Sequence, residues 1–369
     1  MFGFSLFLWQ IVVIFASLNF IFSFVLTEVS LEIAKKLNIL DNPKSAPERK
    51  LQKQSIPLLG ATGFVFSSLF FTGLGWLFRK NIFEFLGNDY NLLSYELGKN
   101  LEPFRLAWVF VGILIIMLAG YFDDKYQFSS KVMILPTFVA LFIVVVFGGL
   151  KIETISLPFG FDLPNSDYFN YLLAFFWIGI CLTATKFLDG LDGLVSTVGI
   201  VSLVIISFVA TLSNVMQPLI FLFGIIWASG IAGFLPWNLP EAKVYLGEAG
   251  AQVIGLIIGV LSILSGAKVA TAATVIGWFI FDILFVFSLR LYKRKNPLVG
   301  DRTHWHHRLI DIGFSKFGVL FFTVFILIIS AFFGLILGTQ YKIYLFIGQG
   351  LFLLLLFIVS SFIPKKIRS

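Results

Sequence analysis

The feature that most limits what this chain can fold into is a succession of long apolar runs. About 20 apolar residues in a helix cross the hydrocarbon core of a bilayer. Eleven segments approach that length, at residues 4–27, 57–78, 104–122, 132–149, 168–184, 191–211, 217–235, 249–264, 267–289, 317–337 and 343–363. Backbone in lipid must satisfy its own hydrogen bonds, so the runs predict helices. Of the 369 residues 58% are hydrophobic and only 13% charged, with a mean hydropathy of +0.95. A soluble domain of this length needs more polar surface. The expected fold class is an all-α polytopic membrane protein with about 11 transmembrane helices, a single integral-membrane domain over residues 1–369. The first run has no basic leader and no small-residue cleavage site, and reads as a retained span. The one cysteine, Cys181, lies inside an apolar run and excludes an intrachain disulfide.

Charge sets an expected orientation. With the loop after the first run placed inside, 20 of the 27 Lys and Arg fall on the inner side and the remaining 7 on the other. The positive-inside rule then puts the N-terminus outside and the C-terminus in the cytoplasm. The net charge of +7 is read as basic loops facing anionic lipid, with no nucleic acid as partner. Under this topology the cytoplasmic loops lie at about 28–56, 123–131, 185–190, 236–248 and 290–316, and every polar motif falls on the cytoplasmic side.

The motifs are as follows. Asp123 and Asp124 are adjacent carboxylates at the end of the third run. They repel each other unless a cation is near, although a solvated loop start beside Lys125 explains them equally well. Asp189 and Asp192 stand three apart in Lys186-Phe187-Leu188-Asp189-Gly190-Leu191-Asp192-Gly193-Leu194. That spacing shares a helix face, and the glycines allow close backbone approach to a ligand. A tight turn capped by Asp is the competing account. Asn238 opens a loop that leads to Gly247-Glu248-Ala249-Gly250, where Glu248 also suits the positive end of a helix dipole. All three histidines, His304, His306 and His307, fall within four positions beside Arg302 and Arg308. Zinc is a natural reading. Without a cysteine, and with two adjacent histidines, the cluster suits phosphate oxygens better. Lys50 lies in a basic first loop that serves equally as a topology signal or a ligand site. Asp282, inside the ninth run, is an intramembrane carboxylate and a functional candidate for that reason. Carboxylates at one membrane face suit Mg²⁺ held by few protein ligands plus substrate phosphates. Basic groups offset the remaining phosphate charge, which is the inventory for phosphoryl transfer.

Taken in order, these residues resemble the polyprenyl-phosphate N-acetylhexosamine-1-phosphate transferases, the family that also contains the peptidoglycan translocase making lipid I. Asp123-Asp124 matches the paired-aspartate motif and Asp189-Gly190-Leu191-Asp192-Gly193 the Asp-Gly-x-Asp-Gly motif. Asn238 with Gly247-Glu248-Ala249-Gly250 matches the Asn and Gly-Asp-x-Gly elements. Asp301 to Leu309 matches the Asp-Arg-x-His-x-His-His-Arg-Leu stretch of the polysaccharide-initiating branch. The resemblance implies transfer of a sugar-1-phosphate from a UDP-N-acetylhexosamine to undecaprenyl or another polyprenyl phosphate, with release of UMP. It also implies Mg²⁺ (or Mn²⁺) as cofactor, residence in a bacterial inner membrane, a role in cell-envelope polysaccharide synthesis and a possible homodimer. In its terms Asp123, Asp124, Asp192, His304 and His306 are catalytic, and Glu248 and Asp124 hold the metal. Lys50, Lys186, Asp189, Asn238, Arg302, His307 and Arg308 bind substrate. The chain departs from the pattern at Thr183 and Lys186, where the family has Asn, at Glu248 in place of Asp, and at Ala251 in place of Ser. Two other readings compete. A transporter or flippase for a lipid-linked substrate would need ionisable residues deep in several spans, and Asp282 is nearly alone there. A catalytically altered relative is supported only by the departures just named.

Overall fold

The computed structural model describes residues 6–43, 54–79, 103–128, 130–152, 166–212, 217–265, 269–294, 296 and 302–363. Its helices are α1 (Leu6–Lys36), α2 (Gly60–Leu77), α3 (Pro103–Tyr126), α4 (Ser130–Phe142), α5 (Asp167–Leu188), α6 (Leu194–Ala210), α7 (Pro218–Asn238), α8 (Gly247–Leu264), α9 (Val269–Tyr292), α10 (Trp305–Asp311), α11 (Lys316–Ile336) and α12 (Thr339–Phe362). Among the described residues, nine helices are long and apolar enough to cross a membrane, and two shorter apolar helices cover Val132–Phe147 and Leu194–Ala210. Together they fall on the eleven apolar runs. α10 is an additional short helix in the expected loop 290–316.

Helix ends extend beyond the apolar runs. α1 continues past residue 27 to Lys36 because Glu28–Lys36 still carries an apolar face, with Leu31 and Ala34 buried. It stops at Asn38, which adopts the left-handed φ of 55° that ends a helix, while Ile39 N–H donates to Ala34 O. α3 likewise runs through Asp123 and Asp124, which were expected in a loop and instead occupy its last turn. Gln127, at φ 52°, ends it. α4 contains Pro136 and passes into a π-helical turn at Ile143–Phe147, where the regular hydrogen-bond ladder is interrupted.

α7 and α8 are buried along most of their length and form the centre of the bundle, whereas α1 and α12 leave most of their side chains outside. Exposed aromatic and aliphatic side chains such as Phe22, Phe70, Phe325 and Leu351 cover that outside, as a lipid-facing surface requires. Close helix approach rests on small residues: Gly120 of α3 abuts Ala249 of α8, and Gly63 of α2 abuts Thr27 of α1. A two-residue antiparallel pair, β1 (Leu40–Asp41) with β2 (Ile56–Pro57), closes the base of the first loop. Tyr245 N–H donates to Pro57 O at 2.8 Å, which ties that base to the segment entering α8.

Candidate active site

At one end of the bundle the C-terminal turns of α3, α5 and α7 meet the N-termini of α6, α8 and α11. Gly120 lies one turn before Asp123 and packs on Ala249, so the paired aspartates are delivered to the start of α8. Gly247 makes the junction possible. Its φ is +76°, and a Cβ there would stand 2.5 Å from both Asp124 Oδ2 and Leu58 O, so no other residue fits. Glu248 N–H then donates to Asp124 Oδ1 at 3.2 Å, placing a carboxylate on the positive end of α8.

The Glu248 carboxylate forms an ion pair with Lys186 and accepts from Gln252 Nε2 at 2.9 Å. Thr137 Oγ1 donates to the other end of that amide, Gln252 Oε1, at 2.9 Å. Lys186 is therefore the counter-charge of Glu248, and both are positions named above as departures. Lys186 also acts on Asp123, whose Oδ1 is buried without a hydrogen-bond partner among the described residues. The like charges of Glu248, Asp123 and Asp189 act together on Asp124. Asp189 opens onto water on one side while protein crowds the rest of it. That crowding, reinforced by Glu248 and Asp192, pushes its carboxyl up to about 7. A hard cation relieves such a cluster, so these donors fit one. Among the described residues no three His, Cys, Asp or Glu form a preformed metal cage. A cation here would need oxygen ligands from substrate or water as well.

Asp192 is held by neighbours. Its Oδ2 accepts from Lys316 Nζ at 2.8 Å and from Glu241 N–H at 3.3 Å. Asn238 is an internal clamp: its Oδ1 accepts from Gly193 N–H and Ser196 Oγ, and its Nδ2 donates to Val244 O. It shapes the Asp189–Gly193 turn and has little capacity left for a ligand. Tyr245, beside this turn, has its phenol pushed up by burial and by Asp192, Asp41 and Asp189.

The histidine segment closes the site. A Cβ on Gly190 would meet His306 Nε2 at 2.8 Å and His307 Nε2 at 2.9 Å, so both rings abut the Asp-Gly turn. His306 is fully buried, and among the described residues neither ring nitrogen has a partner. Burial, with His307, His304 and Arg302 nearby, holds its imidazole well below the usual range, in the neutral form. His304 Nδ1 lies 2.6 Å from Asp282 Oδ2.

Two basic residues expected to hold phosphate are committed within the protein. Arg302 pairs with Asp311 at 3.1 Å. Arg308 donates to Thr303 O at 2.9 Å, reaches Phe357 O and Ser360 Oγ on α12, and lies over the Phe357 ring at 4.2 Å. Lys50 and Asp301 fall outside the described residues. The structure thus brings together Asp123, Asp124, Lys186, Asp189 and Glu248, with His306 and His307 against the same turn. Lys316 and Gln252 belong to this network but were not legible in sequence, where one reads as a topology lysine and the other as a polar residue inside an apolar run.

Comparison with known proteins agrees with this geometry. Residues 106–266 match the family model described as glycosyl transferase family 4. The chain is 31% identical over 217 residues to a probable undecaprenyl-phosphate N-acetylglucosaminyl 1-phosphate transferase of Bacillus subtilis, covering 57% of this chain and 60% of the relative. It is 28% identical over 288 residues to an undecaprenyl-phosphate alpha-N-acetylglucosaminyl 1-phosphate transferase of Thermotoga maritima, covering 78% of each. A phospho-N-acetylmuramoyl-pentapeptide-transferase of Staphylococcus epidermidis is 23% identical over 317 residues, covering 84% of this chain and 95% of the relative.

Proposed function

We propose, from the match of residues 106–266 to the glycosyl transferase family 4 model and the likeness to undecaprenyl-phosphate N-acetylglucosaminyl 1-phosphate transferases, that the chain moves an N-acetylhexosamine-1-phosphate from a UDP-sugar onto undecaprenyl or another polyprenyl phosphate. An oxygen of the lipid phosphate forms a bond to the sugar-bearing phosphorus. The bond from that phosphorus to the bridging oxygen breaks, and UMP leaves with that oxygen. The products are a polyprenyl-diphosphate sugar and UMP.

The observation that carries this reading is the convergence of Asp123, Asp124, Asp189 and Glu248, with Lys186 paired to Glu248, at one end of the helix bundle. Phosphoryl transfer between two anions is governed by positioning and by offsetting negative charge. Asp124 and Glu248 would hold Mg²⁺, which supplies that offset on the diphosphate when bound. Asp123 would orient the lipid phosphate, reached laterally from the bilayer. Lys186, released from Glu248 as the diphosphate enters, would contact phosphate oxygens directly. Asp189 and Asp192 would shape the nucleotide pocket, with Asp192 kept in place by Lys316. By the charge distribution this face is cytoplasmic, in a bacterial inner membrane.

The test is UMP release by detergent-purified protein from UDP-N-acetylglucosamine and UDP-N-acetylgalactosamine, with undecaprenyl phosphate and Mg²⁺. Release that requires the lipid and is abolished by EDTA is expected. Silence with both donors, while either substrate still binds, would favour the catalytically altered reading.

A further inference from the structure

One buried carboxylate takes no part in this scheme. Asp282 sits in the middle of α9, is 1% exposed, and belongs to none of the loops that build the site. Both its oxygens are used at the start of α10. Oδ1 accepts from Trp305 N–H at 3.0 Å and Oδ2 lies 2.6 Å from His304 Nδ1. His304 is also buried, and its second nitrogen, Nε2, has no partner among the described residues. A buried ring nitrogen without a partner is costly. The ring itself is fixed: it stacks on Phe187 of the Lys186–Asp192 segment and lies parallel to His306 at 5.9 Å. His306 in turn abuts Gly190. A continuous run of rings therefore leads from Phe187 to the Asp-Gly turn, and Asp282 anchors its second member.

We propose that Asp282 is a positioning residue of the site. It holds the proton of His304 on Nδ1, so that Nε2 is the nitrogen offered to a phosphate group of the substrates. A carboxylate that faces one ring nitrogen holds the ring proton there, the arrangement that orients histidines in other sites. In the imidazolium form Asp282 offsets the ring charge, and Nε2–H becomes a charge-assisted donor to a phosphate oxygen. The phosphate-binding role rests on the transferase reading above; the proton placement does not. A purely structural account, in which Asp282 only caps α10 through Trp305 N–H, makes a different prediction for Asp282→Asn. The amide has a single acceptor oxygen, and Trp305 N–H is an obligate donor that claims it. The amide nitrogen then donates to His304 Nδ1 and forces the ring proton onto Nε2. The cap survives and the ring stays in place, but the charged form is lost.

The experiment is ¹⁵N-histidine NMR of the full chain in nanodiscs, with UMP release measured on the same samples. The chain has only three histidines, so His306→Asn and His307→Asn variants suffice to assign the His304 signals. In the wild type, His304 should carry a proton on Nδ1. In Asp282→Asn the proton should move to Nε2 alone, with kcat/KM for UMP release lower by about ten- to a hundredfold, as for other residues that orient a histidine. A wild-type His304 without a proton on Nδ1 overturns the proposal, and so does a spectrum unchanged by Asp282→Asn. A shifted proton with unchanged kcat/KM also overturns it. If the variant does not fold, the wild-type spectrum alone decides the proton placement. A wild type that shows the Nδ1 proton but releases no UMP overturns the transferase reading and leaves the pairing intact.

Discussion

Asp124 has two tasks on two oxygens. Oδ1 caps α8 by accepting from Glu248 N–H, and Oδ2 faces Gly247. Asp124→Asn retains an acceptor for the cap, so folding should survive while the charge is lost. UMP release is expected to fall on the order of a hundredfold or more, with the thermal midpoint nearly unchanged. Undiminished release would remove the carboxylate from the chemistry. Glu248→Asp shortens the arm that reaches Lys186 and should change the relative activity with Mg²⁺ and Mn²⁺. An identical profile for the two ions would argue that Glu248 is no metal ligand. His306 gives a pH prediction. Its imidazole is held neutral in the folded chain, well below the 6.5 of an unhindered ring, so the unfolded chain binds more protons. Stability is therefore whole above that unfolded value and is lost as pH falls through it. The thermal midpoint should drop between about pH 8 and about pH 5, and His306→Gln should flatten the drop. An equal slope in the variant would clear His306 as its source.

At the level of the helix, hydropathy located the spans well and their ends poorly. An apolar run ends where lipid ends, but the backbone ladder continues as long as each N–H finds a carbonyl four residues back. α1 and α3 thus run on through polar turns, and the paired aspartates gain a rigid helical base instead of a loop. The histidine segment shows the same limit. Its cluster of histidines and arginines pointed to phosphate, yet which cations remain available depends on α12, more than 40 positions away in sequence. Arg308 directs Nε to Thr303 O and Nη1 to Phe357 O and Ser360 Oγ. Arg308→Ala should therefore cost about 1–2 kcal/mol of stability, from lost hydrogen bonds and ring contact. It should leave the KM of both substrates close to wild type. A large rise in either KM with unchanged stability would return Arg308 to the phosphate site.

For the whole molecule, the decisive property is parity. Helices that alternate in direction place every second connection at the same end, so motifs dispersed from residue 123 to residue 308 share one face. We propose from the charge distribution that this face is the cytoplasmic one. Cys181 is buried and gives little background, so single cysteines can report the sidedness. Tyr292→Cys, at the site end of α9, should react with an impermeant maleimide only in inverted vesicles. Tyr168→Cys, at the far end of α5, should react only in right-side-out cells or spheroplasts; both parent side chains are exposed. The opposite pattern would invert the topology. The sequence by itself determined the class, the positions of the apolar helices, the common face and most of the acidic residues, because hydropathy and parity are properties of the chain read in order. Only the tertiary structure decided how charges are paired: Lys186 with Glu248, Lys316 with Asp192, Arg308 with α12 and Asp282 with His304. Pairing is set by distances between helices remote in sequence, and those distances depend on small packing residues such as Gly120 and Gly247, which carry no charge signal of their own.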